Sequence, residues 1–193
     1  MFTCSLGEGI ELRLLEERHA EELFCAVDRN RGRLRPWLNW VDRTLSAEDC
    51  RGFIRMALAQ FAAREAMHVG IWEGRRLIGG SGHHRIDWVS RNTSIGYWLD
   101  AAAEGRGVVT RTCEALLNHL FGELRLHRVE IRCATANTRS AAVPARLGFT
   151  REGILRQAEW AGDRYNDLVV WSILADEWEA RTVRRPFGPR AGA

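Results

Sequence analysis

The run Ser94-Ile-Gly-Tyr-Trp-Leu-Asp-Ala-Ala-Ala-Glu-Gly-Arg-Gly-Val-Val-Thr-Arg-Thr-Cys113 carries the clearest chemical signal in the chain. A strand-like segment enters a short loop holding Gly105 and Gly107, and a helical pattern follows at once. That order leaves bare backbone N–H groups at a helix N-terminus, where the positive end of the helix dipole favours an anion. Glycines let the anion approach where a Cβ would block it. The candidate donors are the N–H groups of Gly105, Arg106, Gly107, Val108, Val109 and Thr110. The loop lacks the Gly-Lys-Ser/Thr ending of a P-loop and the third glycine of a dinucleotide fingerprint. What remains is a pyrophosphate cradle of another kind, and coenzyme A carries such a group.

The surrounding elements read as follows. Alternation predicts a first strand over Ile10–Leu15, and His19–Val27 reads as helical. Arg31–Val41 is irregular, with Pro36 as a breaker. Ser46-Ala-Glu-Asp49 starts a helix that continues to about Arg64. Strands follow at His68–Trp72, Arg76–Gly82 and Thr93–Leu99, with a turn at Glu73-Gly74. Helical spacing of Val109, Cys113, Leu116, Leu117, Leu120 and Phe121 predicts a helix over Arg106–Phe121. A strand at His127–Ala134 leads to a short helix capped by Asn137 and stopped near Gly148. Strands at Phe149–Glu159 and Leu168–Leu174 complete the core. This order predicts a single α/β domain over residues 1–180, built on a mixed, mostly antiparallel sheet of about seven strands flanked by helices. Residues 181–193, with Arg181, Arg184, Arg185 and Arg190, read as a flexible basic tail.

Composition narrows the function classes. The 193 residues suffice for one core, and the net charge of +3 is too mild for a nucleic-acid footprint. Five cysteines (Cys4, Cys25, Cys50, Cys113 and Cys133) show no paired spacing. They read as reduced thiols of a cytoplasmic protein, without a zinc site or any other metal. No apolar run reaches membrane-spanning length. The chain has eight tryptophans against two tyrosines, so some tryptophans are candidates for lining a pocket.

The chain resembles the GNAT superfamily of N-acetyltransferases, and within it the RimJ/RimL branch of ribosomal-protein N-acetyltransferases. The resemblance covers about Ile10 to Trp178. It rests on Arg35-Pro-Trp-Leu-Asn-Trp40, Ser94-Ile-Gly-Tyr-Trp-Leu99, Glu104-Gly-Arg-Gly-Val-Val109, Asn137-Thr-Arg-Ser140, Arg146-Leu-Gly-Phe-Thr-Arg-Glu-Gly153 and Arg156-Gln-Ala-Glu-Trp160. The loop departs from the usual Q/R-x-x-G-x-G/A pattern, with Glu104 at its first position and Val109 at its last.

The resemblance implies roles for particular residues. Backbone N–H groups around Tyr97, Trp98 and Leu99 would bind the pantetheine arm and the thioester oxygen. Asn137 would touch the same arm. Ser140 would lie near the sulfur and protonate the leaving thiolate, because the tyrosine that many members carry for that purpose is replaced here by Pro144. Glu159 would be the general base, directly or through water, with Trp160 as an apolar surround. Arg35, Trp37, Asn39 and Trp40 match the segment that flanks the amine pocket. His84 and Arg85 follow a strand end and are further candidates for lining it. His83 and His84 point to opposite faces of their strand and so cannot ligate together; His84 remains an alternative base.

The implied activity is transfer of an acyl group, acetyl by default, from acyl-CoA to a primary amine in a ternary complex. A protein N-terminal amine is the first acceptor to consider. A polyamine or aminoglycoside is the alternative, and a non-catalytic coenzyme A sensor is the rival of another class. The branch makes a homodimer plausible. No nucleic-acid or membrane partner is expected.

Overall fold

The structure, a computed structural model, describes residues 3–184 of the chain. In order, the elements are β1 (Thr3–Gly7), β2 (Ile10–Leu14), α1 (Ala20–Arg29), α2 (Arg31–Leu34), α3 (Ala47–Ala62), β3 (Met67–Glu73), β4 (Arg76–His83), β5 (Asn92–Leu99), α4 (Val108–Leu117), β6 (Arg128–Ala134), α5 (Thr138–Leu147), β7 (Thr150–Ala161), β8 (Arg164–Leu174) and α6 (Ala175–Arg184). The strands form one eight-stranded sheet in the order β1-β2-β3-β4-β5-β6-β8-β7. Every neighbouring pair is antiparallel except β5 and β6, which run parallel.

Alternation along the strands separates two helical layers. Val69, Ile71, Ile78, Ile95, Val129 and Ile131 face α4 and α5, packing on Cys113, Leu116, Leu117 and Leu120. Trp72 and Leu77 face the other way, onto Leu23, Ala26 and Val27 of α1 and Cys50 and Ile54 of α3. Leu116, Leu117 and Leu120 are essentially inaccessible. Burial of each contributes about 1.5–3 kcal/mol.

Five expectations change, the first being that Arg31–Leu34, expected irregular, forms the short helix α2. The sheet gains an eighth strand, β1, a short half-exposed edge strand with a register shift between Ser5 and Gly7. Helix α4 starts at Val108 because Gly107, at φ 71°, is its N-cap. From Asn118 to Glu123 the chain widens into a π-helix, which keeps Leu120 and Phe121 buried. Residues 181–184, expected in a tail, continue α6. The rest of the expected tail lies outside the described residues. No helix among the described residues is long and apolar enough to cross a membrane.

Candidate active site

Strands β5 and β6 are bonded only through Asn92–Arg128, Thr93–Val129 and Ser94–Glu130. Beyond Ser94 they part. The His84 N–H donates to the Ser94 carbonyl (2.8 Å) and the Asp100 N–H to the Ile78 carbonyl (2.7 Å), so the even-numbered residues of β5 bond toward β4. By alternation, the backbone groups of Tyr97 and Leu99 face the gap beyond the last β5–β6 pairing, with no strand to pair them. Of the strand residues expected to offer backbone donors, Tyr97 and Leu99 do so. The Trp98 backbone faces β4 instead, and its indole lines the cleft 6.3 Å from the Trp40 ring.

The gap opens into a cleft of about 1960 Å³. Its floor is the glycine loop. Gly105 (φ 77°) and Gly107 (φ 71°) both occupy the left-handed region, which a side chain strains. A Cβ on Gly105 would meet nothing within 4 Å, and one on Gly107 only the Arg111 guanidinium at 3.7 Å. Backbone geometry therefore demands glycine here, and the space above the loop is open. The first backbone N–H after the loop to find a carbonyl is that of Arg111, bonded to Gly107 at 3.1 Å. Among the described residues, the N–H groups of residues 105–110 have no backbone acceptor. Helix ends need such partners, so the cradle fits a pyrophosphate.

Most of the sequence-predicted residues converge here. Trp37, Asn39, Trp40, His84, Tyr97, Trp98, Leu99, Gly105, Gly107, Val108, Val109, Thr110, Asn137, Ser140 and Glu159 all line the cleft. Three do not. Arg106 turns away to pair with Glu73 at 2.6 Å, and Arg85 is exposed near Glu65 at 3.5 Å. Arg35 bridges Asp42 (2.8 Å) and Asp163 (2.6 Å), tying the tryptophan loop to the β7–β8 turn. Trp37 is not an open cation platform either, because the Arg164 guanidinium already lies 5.6 Å from its ring. Trp160 is half-exposed against Tyr165 and supplies no apolar surround to Glu159.

Asn137 caps α5, its Oδ1 accepting from the Ser140 N–H at 3.1 Å. One turn on, Pro144 lies inside the helix and has no N–H for the Ser140 carbonyl. The Tyr97 hydroxyl fills that vacancy, donating to the carbonyl at 3.0 Å. It also accepts from Ser140 Oγ at 3.1 Å. Burial raises the phenol pKa, so Tyr97 keeps its proton.

Glu159 reaches the cleft through a bulge. Leu155 pairs with Leu168 and Glu159 with Asn166, so Arg156, Gln157 and Ala158 oppose Asp167 alone. Gln157 adopts φ 49°, and its N–H donates to Asp167 Oδ1 at 2.8 Å. Such a bulge re-aims the side chain that follows it. Burial raises the Glu159 pKa above the ordinary carboxylate value.

Sequence reasoning missed Asp167, the bulge and His68. His68 lines the cleft between Phe53 (5.3 Å) and His84 (6.4 Å), and burial pulls its pKa down to about 4. Burial also lowers the pKa of His84, whose Nδ1 bonds Ser94 Oγ at 2.9 Å. His83 lies on the buried side, its Nδ1 3.0 Å from the His84 carbonyl. A single histidine on a strand carries no pattern that marks it as lining a site.

An open parallel pair, a donor-rich helix start and a half-buried carboxylate in one cleft define an acyl-transfer architecture. The family model described as the acetyltransferase (GNAT) domain matches residues 10–150, and the chain belongs to that family. YdaF of Bacillus subtilis is 38% identical over 180 residues, covering 93% of this chain and 98% of its own. The ribosomal-protein-serine acetyltransferase of Escherichia coli is 31% identical over 174 residues, covering 90% and 97%. Among solved structures, RimL, a ribosomal-protein α-N-acetyltransferase in complex with coenzyme A through a cysteine disulfide, superposes with a TM-score of 0.87 at 27% identity. That superposition covers 91% of this chain and 99% of RimL.

Proposed function

We propose that this N-acetyltransferase moves an acetyl group from acetyl-CoA directly to the α-amine of a protein N-terminus, with a ribosomal protein as the acceptor class. The observation that carries the reading is the shared cleft. It joins the unpaired N–H groups of residues 105–110 to the free edge of β5, with Glu159 facing the same space. The acceptor class follows its relatives, and such an acceptor is cytoplasmic.

Coenzyme A thioesters supply an activated acyl group. The loop N–H groups and the start of α4 would hold the pyrophosphate. The Tyr97 and Leu99 N–H groups would lie along the pantetheine arm and donate to the thioester oxygen as negative charge develops there. Glu159, with its raised pKa, would take the amine proton directly or through water. Ser140 is the group nearest Tyr97 able to return a proton to the departing sulfur, once its hydroxyl releases the Tyr97 oxygen. Cys133 lines the same wall, and burial raises its thiol pKa. A protonated thiol is a weak nucleophile, which supports direct attack over a covalent acyl-cysteine route.

The test is labelled acetyl-CoA incubated with the chain and, in parallel, peptides starting with serine, the same peptides with a blocked α-amine, a polyamine and an aminoglycoside. Label on the free α-amine alone supports the reading. Label only on a small amine shifts the acceptor class. Donor binding without transfer to any amine leaves a coenzyme A sensor.

A further inference from the structure

We propose that Arg33 and Arg139 are phosphate-binding cations of the donor site, held over the glycine loop by Glu104. The proposal rests on the reading that the cleft takes coenzyme A. Glu104 stands directly before Gly105, at the mouth of the cradle. An isolated carboxylate there would repel a pyrophosphate. It is not isolated. Glu104 Oε1 accepts from Arg33 Nη2, and Oε2 from Arg139 Nη1 at 2.8 Å. Arg33 comes from α2, on the α1–α3 side of the sheet, and Arg139 from the first turn of α5 on the other side. All three side chains line the cleft. The triad carries one net positive charge and spans the donor channel from both layers.

Two further facts favour a phosphate as the missing partner. Arg139 lies in the first turn of α5, where the helix dipole disfavours a cation. An anion above the loop would offset that cost. Its side chain is 80% exposed and that of Arg33 41% exposed. Exposed ion pairs contribute little to stability, so each guanidinium can turn from carboxylate to phosphate at little cost. Glu104 is then a positioning residue that gathers cations for the loop.

The experiment is calorimetric binding of coenzyme A, dephospho-coenzyme A and pantetheine to the full chain and to Arg33→Gln, Arg139→Gln, the double variant and Glu104→Gln. Each arginine change is expected to weaken coenzyme A by roughly tenfold, the scale of a charge-assisted hydrogen bond. Pantetheine binding should stay unchanged. A loss that persists with dephospho-coenzyme A places the contact on the pyrophosphate, and one that vanishes places it on the 3′-phosphate; both support the proposal. Glu104→Gln should weaken coenzyme A binding in the parent chain, where it releases the two arginines, and strengthen it in the double variant, where Glu104 stands as an isolated carboxylate beside the phosphates. Affinity within twofold of the parent in the double variant, or an equal loss for pantetheine, overturns the phosphate role. An equal Glu104→Gln effect in both backgrounds overturns the positioning role. If the parent chain itself binds no coenzyme A, the donor reading falls, and this proposal with it.

Discussion

Replacing Tyr97 with Phe tests the link between Pro144 and the cleft wall. Pro144 deprives the Ser140 carbonyl of its helical donor, and the Tyr97 hydroxyl supplies the substitute at 3.0 Å. Without the hydroxyl that carbonyl has no protein donor in the wall. That acceptor is part-buried at the cleft wall, so leaving it bare costs toward the low end of about 1–3 kcal/mol. The second bond lost, from Ser140 Oγ, lies on a half-buried side chain that can turn to solvent, so its contribution sits at the low end of about 0.5–1.5 kcal/mol. Tyr97→Phe should therefore destabilise the fold by about 2 kcal/mol. Pro144→Ala restores the missing N–H. In that background the carbonyl already has a donor, and Tyr97→Phe should cost about 1 kcal/mol less. Urea denaturation of the four proteins of this cycle, at constant m-value, gives the coupling directly. Equal costs of Tyr97→Phe in the two backgrounds would refute the argument that Pro144 created the need for the phenol.

Three further outcomes are expected. Glu159→Gln should lower turnover by about 10²–10⁴-fold while coenzyme A affinity stays within a factor of two; because burial raises the Glu159 pKa, the parent's rate should climb with pH through a value above 4.5, and that limb should be missing from any residual rate of the variant. Asp167→Ala removes the acceptor for the Gln157 N–H that fixes the bulge, so turnover should fall by roughly tenfold for about 1 kcal/mol of stability; unchanged turnover would free Glu159 from the bulge. Burial pulls the His68 pKa to about 4 in the fold against 6.5 in the unfolded chain, so its contribution is complete above 6.5 and lost as pH falls toward 4, amounting to about 3 kcal/mol; His68→Gln should flatten the acid side of the stability curve by up to one proton, with His19, His83, His84 and the paired carboxylates Asp100, Glu130 and Glu152 adding slope of the same sign, and an identical slope in the variant would exclude His68 as a contributor.

Legibility in the sequence followed the range of the interactions involved. The loop was readable because its chemistry is local: Gly105, Gly107 and the start of α4 are adjacent in the chain, and positive φ requires glycine at both positions. Asn137 was readable for the same reason, since a cap reaches only three residues ahead. The parting of β5 and β6 was not. It depends on a parallel pairing that ends at Ser94, and no residue type marks where two distant strands stop bonding. Arg35 sits in the expected segment, yet it holds the tryptophan loop to Asp163 across 128 positions of chain. Adjacency within a matching segment did not distinguish a brace from a wall.

Pro144 shows how far a local change can travel. Read in sequence, it is the loss of an acid at one helix position. In the fold it is also the loss of a donor four residues back, and that carbonyl points at β5. The phenol that answers it fixes the Ser140 hydroxyl beside the gap between β5 and β6. One substitution thus removes one candidate proton source and orients another on the same wall. Pro144→Tyr would bring back the N–H as well as a phenol, so the Ser140 carbonyl would have its helical donor and Tyr97→Phe should then cost less stability, as beside Pro144→Ala.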